Sequence, residues 1–268
     1  MLRILFWDLN KKDLRRHVCD AAKAVSADVI ILIEAGETSA NTLTMLKSFV
    51  SSSFYFPHAV INRFQIFARN SSLDLAEVYG GNRVSLRRLS YAGNDLTLGA
   101  VHVVDRRNWD QQNQSAQVSL LAADVQHGEN TMGHDRTILI GDFNMNPFDQ
   151  AMNMATGMNA MMTAKCVEGG SRILQEREYH FFYNPMWSLF GDRNRAPGPS
   201  GTYYHLSSSQ GLYGWNMLDQ VLLRSSAIPL FHDVQILTSV GDTVLQNKVG
   251  RPDKKTASDH FPILVTLK

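Results

Sequence analysis

Cysteine is nearly missing: the 268 residues hold two, Cys19 and Cys166. Two thiols cannot build a disulfide framework, and neither lies in a zinc-type motif, so the fold must rest on its hydrophobic core. Excess charge is missing too. Twenty-six basic residues against 25 acidic ones leave +1, so there is no global polycation, and any basic surface must be local. Long apolar runs are also absent. The longest, Val29 to Ile33, is bounded by Asp28 and Glu34, far short of the ~20 residues a membrane-spanning helix requires. Met1-Leu2-Arg3 runs into Ile4-Leu5-Phe6-Trp7 and then meets Asp8, Asn10, Lys11 and Lys12. That opening has no small-residue cleavage pattern, so a cytoplasmic setting without a membrane anchor is expected.

What is present is ordinary for a folded chain: 44% hydrophobic, 9% aromatic and 19% charged residues. These values exclude a disordered, collagen-like or coiled-coil chain. Short apolar runs alternate with helical stretches. Leu2 to Trp7 and Val29 to Ile33 read as buried strands, and Asp13 to Ala27 as a helix with Leu14, Val18, Ala21, Ala22 and Val25 on one stripe. Thr42 to Val50 reads as helical. Strands are expected at Ile66 to Arg69, Arg83 to Tyr91 and Leu96 to Val104, with Asn94-Asp95 as the turn between the last two. Residues 112 to 127 return to helical spacing, and Thr137 to Ile140 forms a short strand ending at Gly141. Late strands are expected at Leu218 to Leu223, Val234 to Leu237 and Ile263 to Leu267. Residues 165 to 215 are rich in glycine and proline and carry 10 of the 25 aromatics, which marks an ordered loop system rather than a flexible linker.

Five places could carry chemistry. The strand Ile138-Leu139-Ile140-Gly141 delivers Asp142 and Asn144 just past its end, where ligand sites of α/β sheets usually lie, and period-two spacing puts both on one face. Ser258-Asp259-His260 precedes the last strand. Glu34 ends a buried strand, Asp219 enters another, and His102 lies within the run Leu98 to Val103. Singly, each is equally well a cap, a turn former or a satisfied core polar group. Jointly, their types and order have a counterpart.

The chain resembles the endonuclease/exonuclease/phosphatase superfamily, which includes DNase I, AP endonucleases, sphingomyelinases and inositol polyphosphate phosphatases. The resemblance runs from Ile4-Leu5-Phe6-Trp7-Asp8-Leu9-Asn10 through Glu34, His102 and Gly141-Asp142-Phe143-Asn144 to Asp219 and Ser258-Asp259-His260. Gly-Asp-Phe-Asn followed by Ser-Asp-His is its specific part. The resemblance implies an α/β fold, a four-layer α-β-β-α sandwich of two packed mixed sheets with helices outside. It favours one domain over 1–268, with the aromatic loop region at 165–215 as its elaboration. It also implies phosphoester hydrolysis with Mg²⁺ (or Mn²⁺). By the same resemblance Glu34 is a metal ligand, and Asp259 lies beside the metal or the water. His260 is the general base or a phosphate contact, with Asp219 as its orienting partner. Asp142 orients the attacking water, Asn144 holds a phosphate oxygen, and His102 contacts the phosphate or helps the leaving group. Such a site suits hard oxygen ligands and an imidazole that titrates near neutral pH.

Two departures stand out. The superfamily usually reads Trp-Asn where this chain has Trp7-Asp8, so Asp8 is expected either as a stronger metal ligand or as a change that weakens phosphate binding and activity, with Asn10 partly supplying the displaced amide toward substrate. The glutamate that DNase I pairs with its second histidine aligns with Asn62 here, so a full DNase I-type acid pair is not expected. Lys248, Arg251, Lys254 and Lys255 precede Ser258, and Arg106 and Arg107 follow the His102 strand. Either group could contact a polyanion or be a solvated charged loop. Among the aromatics, Trp215 is singled out for substrate contact because it lies four residues before Asp219. A nuclease acting on DNA or RNA leads. The alternatives are an enzyme on a small phosphoester (a nucleotide, phosphoinositide or lipid headgroup) and a binding protein on a weakened enzyme fold.

Overall fold

The structure is a computed structural model that describes residues 1–60, 63–105, 109–192, 198–206 and 213–268. Its elements run β1 (Leu2–Asp8), α1 (Arg15–Ala24), β2 (Val29–Ile33), α2 (Ser39–Phe49), β3 (Gln65–Ala68), β4 (Glu77–Gly80), β5 (Val84–Tyr91), β6 (Asn94–His102), α3 (Gln111–Met132), β7 (Thr137–Asp142), α4 (Gln150–Asn153) and β8 (Ala160–Met161). Next come β9 (Ser171–Leu174), β10 (Arg177–His180), β11 (Phe182–Tyr183), β12 (Tyr203–His205), β13 (Gly214–Asn216), β14 (Asp219–Arg224), β15 (Phe231–Ile236), β16 (Ser239–Val240), β17 (Thr243–Val244) and β18 (Ile263–Leu267). The contacts divide the chain into two compact units. The first comprises Met1–Leu75, Leu189–Met217 and His232–Lys268, and the second Ala76–Ser188 and Leu218–Phe231.

The first unit is built on a five-stranded sheet in the order β15-β18-β1-β2-β3. It is mixed: β1 runs parallel to β2 and antiparallel to β18. β2 and β18 are buried along their whole length, and β1 at all but Arg3. This explains why they read as continuous apolar runs rather than alternating ones. Leu5, Trp7, Ile30 and Leu32 share a core with Val18, Ala21 and Ala22 of α1 and Leu46 of α2. α1 is shorter than the expected Asp13 to Ala27. Asp13 folds its carboxylate back onto Arg15, and Ser26 takes a left-handed φ of 50°. α2 begins earlier than Thr42 because Thr38 caps it, accepting from the Asn41 N–H at 3.2 Å.

The second unit holds a seven-stranded mixed sheet, β4-β5-β6-β7-β14-β11-β8. Val84, Leu86, Val101, Leu139 and Leu222 pack with Val118, Leu121 and Val125 of α3. Asp110 caps α3, and Gly133, at φ 71°, ends it. The helix therefore extends past the expected end at residue 127 to its first left-handed stop. The Asn94-Asp95 turn is corrected. Asn94 already pairs with Tyr91, and the turn residues are Ala92 and Gly93, both with positive φ. The 165–215 stretch contains ordered structure among its described residues, including the exposed hairpin β9-β10.

No helix among the described residues is long and apolar enough to cross a membrane.

Candidate functional site

In the second unit the strand register assembles a polar row. β6 and β7 lie parallel with His102 opposite Asp142, and β14 runs antiparallel to β7 with Asp219 opposite Asp142. Residues opposite one another on neighbouring strands project from the same face. His102, Asp142 and Asp219 therefore stand side by side across three adjacent strand ends. All three are buried, Asp219 completely. His102 Nε2 lies 4.0 Å from Asp142 Oδ2.

Gly141 makes this row possible. A Cβ there would lie 2.0 Å from the Val101 carbonyl oxygen, so any side chain would force β6 and β7 apart next to His102 and Asp142. After Asp142 the chain turns sharply, with Asn144 at φ 52°. Both carboxylate oxygens of Asp142 are engaged by that turn: Oδ1 accepts from the Asn144 backbone N–H and Oδ2 from its Nδ2, each at 2.7 Å. Asn144 Nδ2 also donates to the Val103 carbonyl at 3.0 Å. With two acceptors on that side, the amide orientation is fixed and both its protons are committed. Phe143 is buried in the core of the unit and fastened to Leu218 O.

A set of buried amides holds the loop after β7, and sequence reasoning did not find it. Gln220 Nε2 donates to Met145 O, Gln220 Oε1 accepts from Asn184 Nδ2, and Gln114 Nε2 donates to Val104 O. All three amides are at most 1% exposed. Gln114 was detectable only as a polar residue within a helix. The backbone beside His102 is fixed by its neighbour strand, the His102 N–H donating to the Arg83 carbonyl.

In the first unit, the Ser258-Asp259-His260 segment is clipped to the end of β1. Ser258 Oγ donates to Asp8 O at 2.6 Å and accepts from the His260 N–H at 3.1 Å, while Trp7 Nε1 donates to His260 O at 3.0 Å. A serine before Asp-His is thus required for its hydroxyl. The His260 ring lies 4.7 Å from that of Tyr203, and Phe261 N–H donates to Thr202 O. Asp8 Oδ1 accepts from the Asn10 N–H at 2.8 Å, so Asp8 also builds the turn that follows β1. Asn10 and Lys11 both have positive φ.

That turn meets the one after β2. Asp8 is opposite Ile33 in the parallel register, and Lys11 N–H donates to Glu34 O at 2.7 Å. Glu34, half-buried, sits at φ 45°, a conformation that costs an ordinary side chain energy and is typical of constrained functional positions. Gly36 must be glycine, because a Cβ would lie 2.6 Å from Lys11 O. Asp259 Oδ1 is buried with no hydrogen-bond partner among the described residues. A buried carboxylate oxygen left this way fits a hard, oxygen-preferring cation such as Mg²⁺.

Trp215 packs in the same unit, edge to face with Tyr204 at 5.3 Å and stacked on Phe261 at 6.3 Å. Arg106, Arg107 and Asn62 lie outside the described residues.

No family model and no curated protein sequence matches the chain. Solved structures do. TDP2 of D. rerio complexed with a single-strand DNA product is 15% identical with a TM-score of 0.58, covering 100% of this chain and 98% of that one. The endonuclease domain of TRAS1, a telomere-specific non-LTR retrotransposon, is 14% identical with a TM-score of 0.54, covering 100% and 99%. An endonuclease/exonuclease/phosphatase family protein from Leptotrichia buccalis C-1013-b is 13% identical with a TM-score of 0.55, covering 100% of both chains. These likenesses show the fold: it is the DNase I-like α/β fold expected from the sequence.

Proposed function

We propose that this chain is a divalent-metal-dependent phosphodiesterase whose substrate is a nucleic-acid strand. The observation that carries the reading is the buried row His102, Asp142 and Asp219 across three strand ends, with Asp142 locked by Asn144. A purely structural sheet has no need of three neighbouring buried ionisable groups, because burying each one costs free energy unless it is paired or used. The single-strand DNA product named in one of the solved likenesses supports the substrate class.

In this reading Glu34, Asp8 and Asp259 hold the cation, Mg²⁺ or Mn²⁺, which when bound neutralises charge on the phosphate. His260, whose backbone is clamped by Trp7 and Ser258, accepts the proton of the attacking water, with Asp219 as its orienting carboxylate. Asp142 orients the water. Asn144, with both amide protons committed to Asp142 and Val103, acts first as the residue that positions Asp142 and reaches a phosphate oxygen only by exchanging one of those bonds. His102 serves the phosphate or the leaving oxygen. Asn10 and Trp215, with Arg106 and Arg107, are the candidates for holding the rest of the substrate.

The test is hydrolysis of plasmid, single-stranded DNA, RNA and a small diester in Mg²⁺ or Mn²⁺. His260→Ala and Asp142→Ala are each expected to lower the rate by about 10²–10⁴-fold, the usual contribution of a positioned acid or base. Asp8→Asn is expected to raise the Mg²⁺ concentration needed for half activity. Nicking that His260→Ala leaves intact would sink the nuclease reading. Turnover of the small diester alone would favour a small phosphoester as substrate, and tight ligand binding without turnover would favour a binding protein.

A further inference from the structure

Next to Asp259 the first unit carries a concave cleft of about 710 Å³, lined by Tyr204, Lys248, Arg251, Lys254 and Lys255 together with Asp259 itself. Its size lies within the ~300–1,000 Å³ typical of ligand sites. Four of its lining residues are lysine or arginine, and Asp253 and Asp259 are its acids, an asymmetry that the chain as a whole, at +1, lacks.

The cations do not stand on a loose solvated loop. Asn247 N–H donates to Arg251 O, and Asn247 Oδ1 accepts from the N–H groups of Val249 and Arg251. Asp253 N–H donates to Leu245 O, and Ala257 N–H to Asp253 O. From behind, the Lys12 ammonium donates to the carbonyls of Lys254 and Ala257, the latter at 2.6 Å. Arg251 is oriented as well as anchored. Its guanidinium lies 3.8 Å from the centre of the Tyr204 ring, and Trp215 supports the edge of that ring. A guanidinium with one face on an aromatic ring is prearranged to grip phosphate or to stack a base on its other face.

We propose that this cleft binds the backbone of a single-stranded nucleic acid flanking the cation site proposed at Asp259. The proposal rests on the function proposed above. Four cations lining one concavity suit several phosphates of a strand, whereas one inorganic phosphate would use only one or two.

The experiment measures binding of a fluorescent ten-nucleotide deoxythymidylate strand to the whole protein by anisotropy, in EDTA so that nothing is cleaved, across a salt series. Four phosphate contacts give a slope of log K against log salt of about −2.8, at about −0.7 per contact for single strands. Arg251→Ala/Lys254→Ala is expected to weaken binding at least about tenfold at low salt and to bring the slope up by about 1.4. Lys248→Ala/Lys255→Ala, at two exposed side chains, should reproduce the slope change even if loss of the Arg251 contact disturbs the loop. Arg251→Lys should keep the slope and lose affinity. Unchanged affinity and slope in both double variants, or no binding by the unaltered protein, would overturn the cleft, and equal binding of a duplex would overturn its preference for single strands. A protein that binds the strand but hydrolyses nothing in either Mg²⁺ or Mn²⁺ would overturn the proposed function and leave the cleft standing. Hydrolysis with unaltered binding in the variants would do the reverse.

Discussion

At Gly141 the requirement is steric. A methyl group would be driven to 2.0 Å from a backbone oxygen of the neighbouring strand, and a backbone atom cannot yield as a flexible side chain can. Gly141→Ala is therefore expected to destabilise the protein by on the order of 3 kcal/mol or more, with a fall in Tm of roughly 10 °C. Thermal melting checks this, and a Tm within a degree or two of the parent would refute it. The glycine in Gly-Asp-Phe-Asn is thus there for strand approach, the phenylalanine for core and the asparagine for fixing the aspartate, to which the proposed function gives the chemistry. Ser258 is similar, placed for the two hydrogen bonds that fasten the Asp-His pair to β1. These motif residues were visible in the sequence. Their division of labour was not, because it depends on which backbone groups the fold brings within reach.

α3 is tied to the edge strand β4 by a hydrogen bond: Tyr79 Oη donates to Asp124 Oδ1 at 2.7 Å. That hydrogen bond, then burial, pushes the phenol up to about 12 from its ordinary 10. Because the folded value is raised, the tie contributes fully below pH 10 and is lost as pH climbs from 10 toward 12. Spectrophotometric titration should show one tyrosine ionising late, and Asp124→Asn should bring it back toward the others. An unchanged titration curve would refute the tie. Elements buried on both faces, such as β2 and β18, were legible as apolar runs, and β2 matched to the residue. The small strands β9 to β13 were not. β9 and β10 bury almost nothing, so no hydrophobic pattern announces them. The Ala92-Gly93 turn was missed because Asn94 and Asp95, common turn formers, stand beside it. The amides of Gln114, Asn184 and Gln220 satisfy backbone and side-chain groups that meet only after folding.

For the molecule as a whole, each unit draws on separated stretches of chain, so neither can be expressed as an uninterrupted fragment. The five-stranded sheet shows why. β18 lies between β15 and β1, and Leu2 pairs with Leu267. Deleting residues 263–268 removes an interior strand along with buried Ile263, Val265 and Leu267. The expected outcome is a protein without native secondary structure by circular dichroism, and a truncated protein that keeps a cooperative melt would contradict it. Leu2–Leu267 pairing also bears on how fast the native state is reached. Bringing residues so far apart in sequence together is entropically costly and slows folding. Until β18 docks, β1 presents a long apolar edge that another chain can occupy. Refolding yield should therefore fall as protein concentration rises, and early misassembly should be between molecules rather than within one.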